Sequence, residues 1–276
     1  MRPAFLALTL ALALTASPAM AQGLALSGGA SNQPIQVDAD QGIEWLRDQN
    51  VYVARGNATA SRGGVTVRGD KLTARYRTKG EGGSEIYQLE AEGNVRITSA
   101  NETILADRAV YDADQSVLVM TGKALKLTTR TDVITARDSL EYWEKRQLAV
   151  ARGNAEAVRD KKRIKADVLS ALLVEGANKE MKLRRVDAFG NVDVRTDLEV
   201  AKGEKGVYMV EQGTATLIGD VRITRGTNQL NGAVAEVNLN TGVSRLLSGP
   251  QGSSRVRALV VPNKEPQQSK PAGTGG

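Results

Sequence analysis

Apolar and small residues alternate with polar ones in run after run of this chain. One such run is Ile104-Leu105-Ala106-Asp107-Arg108-Ala109-Val110-Tyr111, and variants occur at residues 67–74, 164–171 and 230–237. A period of two is that of a strand with one face buried. Polar turns follow these runs, at 112–115, 144–147 and 240–242, and a second strand climbs back through 117–119, 148–150 or 215–217. A glycine phrase is expected to end that strand, and a third short run follows at 95–97, 192–194 and 221–223. The runs are rich in Val, Ile, Thr and Tyr, which favour strands. No stretch of helical length carries an apolar stripe; residues 175–183 come nearest, and Gly176 interrupts them.

The glycine phrase gives the alternation a frame. It reads Arg55-Gly56-Asn57-Ala58, Glu92-Gly93-Asn94-Val95, Thr121-Gly122-Lys123-Ala124, Arg152-Gly153-Asn154-Ala155, Phe189-Gly190-Asn191-Val192 and Ile218-Gly219-Asp220-Val221, with a weaker copy at Gly249. Gly56 to Gly153, Gly93 to Gly190 and Gly122 to Gly219 are each a step of 97 residues. Residues 37–45 likewise match 134–142. Glycine followed by Asn or Asp tolerates positive φ, as a tight corner or bulge requires. The six glycines are therefore expected to bend the sheet at one height in every unit. Repetition at this scale signals a stacked architecture that extends a surface rather than assembling one catalytic pocket.

Composition narrows the chemistry. The chain has no cysteine and no histidine, which removes disulfides, Ser-His-Asp and Cys-His nucleophiles, and zinc sites built on those residues. Two Phe and two Trp are few for a closed sandwich of this length, so the interior is expected to be aliphatic. Arg2, the apolar run 4–16 and Ala19-Met20-Ala21 have the layout of a cleaved secretory signal, residues 1–21, too short to span a bilayer. Residues 22–34 read as a flexible leader, 35–262 as one repetitive domain and 263–276 as a disordered tail. The formal charge of +6 becomes +5 once Arg2 is removed, and suits an anionic partner such as a phosphorylated lipid. Nucleic acid does not fit, because no basic stripe is interleaved with aromatics.

The expected fold is all-β and elongated. Either a narrow solenoid filled with aliphatics or an open, V-shaped sheet, built from about seven repeats, satisfies the pattern. A trough lined with aliphatics would hold acyl chains by burial, at about 0.8 kcal/mol per methylene.

The repeated Ala-Asp-x-Ala-x-Tyr and Gly-Asn-Val-x-Ile phrases and the late segment 218–242 carry a resemblance. Over about residues 35–247 the chain resembles the LptA-like, organic-solvent-tolerance (OstA) family of periplasmic lipopolysaccharide-transport proteins. The resemblance implies an open β-jellyroll in the periplasm, with the acyl chains of lipid A inside it. It also implies head-to-tail self-association, with an LptC-like partner at the inner membrane and an LptD-like partner at the outer membrane. It implies neither a cofactor nor catalysis. The stretches 80–83 and 177–180 look like insertions that lengthen two units.

Inward-facing positions follow from the alternation alone: Val37, Ala39, Ile43, Val67, Leu72, Ile104, Ala106, Ala109, Tyr111, Ile134, Ala136, Ile164, Leu169, Val221, Ile223 and Leu230. Two other readings compete with a lipid carrier. A filled β-solenoid could act as a scaffold without cargo. An enzyme would need carboxylates, and Asp38-x-Asp40 and Asp112-x-Asp114 are the candidate pairs, although neither has a third ligand or a general acid beside it.

Overall fold

The computed structural model describes residues 34–80, 83–176, 181–238, 240–241, 243–248, 255–259 and 261. The signal sequence, nearly all of the leader, the tail, Gly249 and the insertion-like 177–180 lie outside them. Among the described residues eighteen strands form one antiparallel sheet. The first half of the chain supplies β1 (Gln36–Asp38), β2 (Gly42–Leu46), β3 (Val51–Arg62), β4 (Val65–Lys79), β5 (Gly83–Thr98), β6 (Thr103–Asp112), β7 (Val117–Thr121), β8 (Leu125–Thr128) and β9 (Asp132–Ala136). The rest are β10 (Ser139–Trp143), β11 (Leu148–Arg159), β12 (Lys162–Glu175), β13 (Met181–Arg195), β14 (Val200–Met209), β15 (Thr214–Arg225), β16 (Asn228–Asn238), β17 (Val243–Leu247) and β18 (Arg257–Leu259).

Several of these are halves of one bent strand. β1 and β2 both pair with β3, β7 and β8 with β6, β9 and β10 with β11, and β17 and β18 with β16. Fourteen bent strands therefore run up and down in chain order. β7 pairs with β10 while β8 pairs with β9, so β6 to β11 close a ring of pairings around the Gly122 corner. The bends divide the sheet into two arms of a V. The first arm holds β2, β7, β10 and β17, the second holds β1, β8, β9 and β18, and the long strands cross both.

The glycines bend strands rather than ending them. β11 runs unbroken through Gly153, so the second and third runs read from the sequence are one strand. The pairing register slips by one residue between Arg55 and Ala58, Glu92 and Val95, Arg152 and Ala155, Phe189 and Val192, and Ile218 and Val221. Each slip is a β-bulge, which kinks the strand and sharpens its twist. At Gly190 φ is +74° and at Asn191 +49°, a pair of left-handed residues that only Gly followed by Asn or Asp adopts cheaply. Gly56, Gly93, Gly153 and Gly219 match it within 10°; Gly122, at +153°, instead separates β7 from β8.

A second residue holds each corner. The space where a Cβ would sit at Gly93, Gly122, Gly153, Gly190 and Gly219 is taken by the side chain of Asp70, Asp107, Asp138, Asp167 or Glu204 on the preceding strand, and at Gly56 by Gln41. Asn94 and Asn191 each donate from Nδ2 to that carboxylate, Asp70 or Asp167, at 2.9 Å, and the Lys123 N–H donates to Asp107 at 2.8 Å. The Asp of the alternating phrase and the Gly-Asn of the other phrase are thus two halves of one latch.

The interior is one continuous cluster of buried apolar side chains, reaching from β4 to β17. Charge lies on the outer face and pairs across strands, as in Glu141 with Arg152 at 2.7 Å and Glu90 with Arg108 at 2.6 Å.

An apolar trough as the candidate functional site

Cross-strand partners share a face, so the register traces the lining of the V. One ladder on the first arm passes through Ile43, Ala54, Leu72, Ala91, Ala109, Met120, Leu140, Ala151, Leu169, Ala188, Gly206, Leu217, Ala235 and Leu246, each the partner of the next. A second, on the other arm, passes through Val37, Ala60, Val67, Ile97, Ile104, Leu127, Ile134, Ala157, Ile164, Val194, Ala201, Ile223, Leu230 and Ala258. No polar side chain interrupts either ladder.

The residues singled out by alternation fall along this lining. Ile104, Ala106, Ala109, Tyr111, Ala136, Leu169, Val221 and Ile223 are buried in the cluster, and Val67, Leu72, Ile134, Ile164 and Leu230 pack against it. Val37 and Ile43 stand on the first bent strand, with no further strand to cover them among the described residues, and are 37% and 53% exposed. Ala39, at the bend between β1 and β2, is half-buried.

The trough is not uniform. Across β6 to β10, Tyr111, Leu118, Met120, Leu125 and Leu140 fill it and are almost wholly buried. Across β12 to β16 it opens into a small apolar cavity of about 60 Å³, lined by residues that include Ile164, Val186, Val194, Ala201, Tyr208, Leu217 and Ile223. The difference is one of side-chain size. Gly206 sits where the first half has Ala109, and a Cβ placed there would stand 3.5–3.8 Å from Ala188, Val192 and Leu217, in space the glycine leaves open. The sequence reading named Ile164 and Ile223 but not the β13 and β14 lining, whose alternation at 186–194 is as regular as any.

The ends of the arms face one another across the mouth. Burial holds the Tyr142 phenol above its ordinary pKa, with Glu144 and, from the other arm, Glu102 adding to the effect. Tyr208 is raised by burial and eased back by Arg159, again from the opposite arm. Arg159 itself is held by Asp132 at 2.6 Å. Tyrosines with rings inside and hydroxyls at a wet edge suit a boundary between apolar and aqueous space.

The second carboxylate pair does other work. Asp112 caps its turn by accepting from the Gln115 N–H at 2.9 Å, and Asp114 pairs with Arg77 at 2.6 Å. Among the described residues no group of three or more acidic side chains could hold a metal, and no helix is long and apolar enough to cross a membrane.

A family model described as LptA/(LptD N-terminal domain) LPS transport protein matches twice, over residues 36–138 and 133–243. The chain belongs to this family. The two matches fall on the two halves of the 97-residue repeat, so the chain carries the LptA/LptD N-terminal domain pattern in duplicate. No curated protein matches it. Among solved structures, the crystal structure of LptH, described as the LptA homologous periplasmic component of the conserved lipopolysaccharide transport device from Pseudomonas aeruginosa, is 15% identical. That match covers 83% of this chain and 96% of the LptH chain, with a TM-score of 0.22.

Proposed function

We propose that this protein carries lipopolysaccharide through the periplasm as one link of a bridge from an inner-membrane complex to an outer-membrane translocon. The observation that carries the reading is the pair of unbroken apolar ladders, which border an apolar cavity across β12 to β16. Acyl chains of lipid A would lie in the trough, held by burial and released without any chemical step. No catalysis and no cofactor belong to this reading, and the energy for movement comes from elsewhere. Export through a cleaved signal, residues 1–21, supplies the periplasmic location. Among the described residues the first and last strands are each paired on one side alone, and such edges are templates for further strands. We assign them to head-to-tail copies, to an LptC-like partner at one end and to an LptD-like partner at the other.

The packed segment between β6 and β10 favours the competing reading, a filled scaffold without cargo, and the cavity beyond it favours the carrier. Photo-crosslinking separates them. A diazirine-bearing aliphatic residue at Ile223, inside the cavity, should form lipopolysaccharide adducts in the living envelope. The same residue at Arg222, on the outer face, should not. Adducts at Arg222 alone, or at neither position, would overturn the carrier.

A further inference from the structure

The rung that borders the apolar cavity on the second arm is polar. Ile164, Val194, Ala201 and Ile223 are successive cross-strand partners in the cavity wall. Two residues nearer the tip on the same strands and their connecting turn stand Lys162, Thr196, Glu199 and Arg225. A strand advances about 3.3 Å per residue, so the polar rung begins only about 7 Å from the apolar one. A second open cavity, of about 290 Å³, lies there against the 160–162 and 196–199 turns.

The lining of this second cavity is mixed. Glu199 is 5% exposed, and burial raises its carboxyl pKa despite Arg225, whose Nη1 is 3.5 Å away. Lys161 reaches Asp197 at 3.3 Å, and Leu198 offers an apolar side chain that is 60% exposed. The first half of the molecule supplies a comparison. One repeat earlier, Glu102 stands where Glu199 does, and its carboxyl is likewise pushed up, to about 6, by burial. By the strand register, the positions of Lys162 and Arg225 are held there by Val65 and Thr129. The buried glutamate is thus common to both halves, whereas both cations belong only to the half with the open cavity.

We propose that the two cavities form one site for a phosphorylated glycolipid, with its acyl chains among Ile164, Val194 and Ile223 and its sugar-phosphate head on Lys162, Glu199 and Arg225. This rests on the lipid-carrying reading and adds a position for the head. Phosphate oxygens accept from Lys162 and Arg225, and sugar hydroxyls donate to the carboxylates. A simple fatty acid presents no hydroxyls to those carboxylates, and a neutral detergent presents no anion to the cations. A sugar phosphate presents both groups.

The test compares hexa-acyl lipid A carrying both phosphates with the same lipid after their removal, by calorimetric titration of detergent-dispersed lipid into the full mature chain. Lys162→Val, which installs the first-half residue, should weaken binding of the phosphorylated lipid about tenfold, the worth of one charge-assisted hydrogen bond. Binding of the dephosphorylated lipid should change less than twofold. Arg225→Thr should behave alike, and Glu102→Gln should alter neither affinity. Equal losses for both lipids, or no loss for either, would overturn the head site while leaving the carrier reading intact. Full competition by millimolar inorganic phosphate would show a plain anion site and would also overturn it. Failure of the wild-type chain to bind either lipid would remove the carrier reading itself.

Discussion

Gly190 and Gly206 are the same residue in opposite circumstances. A methyl at Gly190 would enforce left-handed backbone on a substituted carbon and overlap the Asp167 carboxylate, whereas at Gly206 it would meet only ordinary contacts. Gly190→Ala should therefore destabilise by about 1–2 kcal/mol. Gly206→Ala should be neutral, or stabilising by up to about 1 kcal/mol through the unfolded chain. Thermal melts of both variants check this, and equal melting temperatures would remove the corner role. Glu102 offers a pH test. Its carboxyl, raised to about 6 by burial, favours the folded state fully below its unfolded value near 4.5 and loses that contribution as pH rises through 6. Glu102→Gln, which mimics the protonated form, should match wild type at pH 4 and be more stable by about 1–2 kcal/mol at pH 7.5. A constant difference across that range would show that the glutamate is not desolvated. At this scale the sequence was partly legible. Glycine with Asn announced positive φ, but the acidic partners were hidden because they act across strands. Their signal was present: the residue covering each glycine precedes it by 15, 23 and 15 positions, from Gln41, Asp70 and Asp107, and by the same series from Asp138, Asp167 and Glu204.

Strands were legible where one face is buried, since Ile104, Ala106, Ala109 and Tyr111 can reach the interior only at alternate positions. Their continuity was not. Gly153 punctuates the sequence as strongly as a turn would, and only the pairing of β11 with both β9 and β10 shows one strand bent over two arms. Which stretch of trough is filled also escaped alternation, because Ala109 and Gly206 fit the same pattern and differ only in volume. The edge elements carry a prediction of their own. Ile43 is the first rung of a ladder and is half exposed because β2 pairs only with β3 among the described strands. A stacked copy would cover it. Ile43→Lys should keep the melting temperature within about 2 °C, since a lysine stem can lie along the rung with its charge in water. It should also abolish concentration-dependent growth of the sedimentation coefficient. Growth equal to wild type would place self-association elsewhere.

Across the whole molecule, the two halves repeat down to the short 3-10 turns at Arg47–Gln49 and Glu144–Arg146. They differ where the lining differs. The first begins with an aromatic group, Trp45 stacked on Tyr52 with ring centroids 5.5 Å apart and bonded through Nε1 to the Tyr76 hydroxyl at 2.8 Å. The second replaces these three with Tyr142, Ala149 and Leu173. Repetition made the architecture readable from the sequence, and the departures from it mark where the halves have specialised. The latches add a constraint on size. Each carboxylate must meet a glycine on the next strand, and the 15, 23, 15 series returns to phase only after six bent strands. Strands lie about 4.8 Å apart, so the molecule behaves as a ruler graduated in steps of about 29 Å. Adding or removing a whole step would keep every corner of both halves in place, whereas deleting a single strand would part a carboxylate from its glycine.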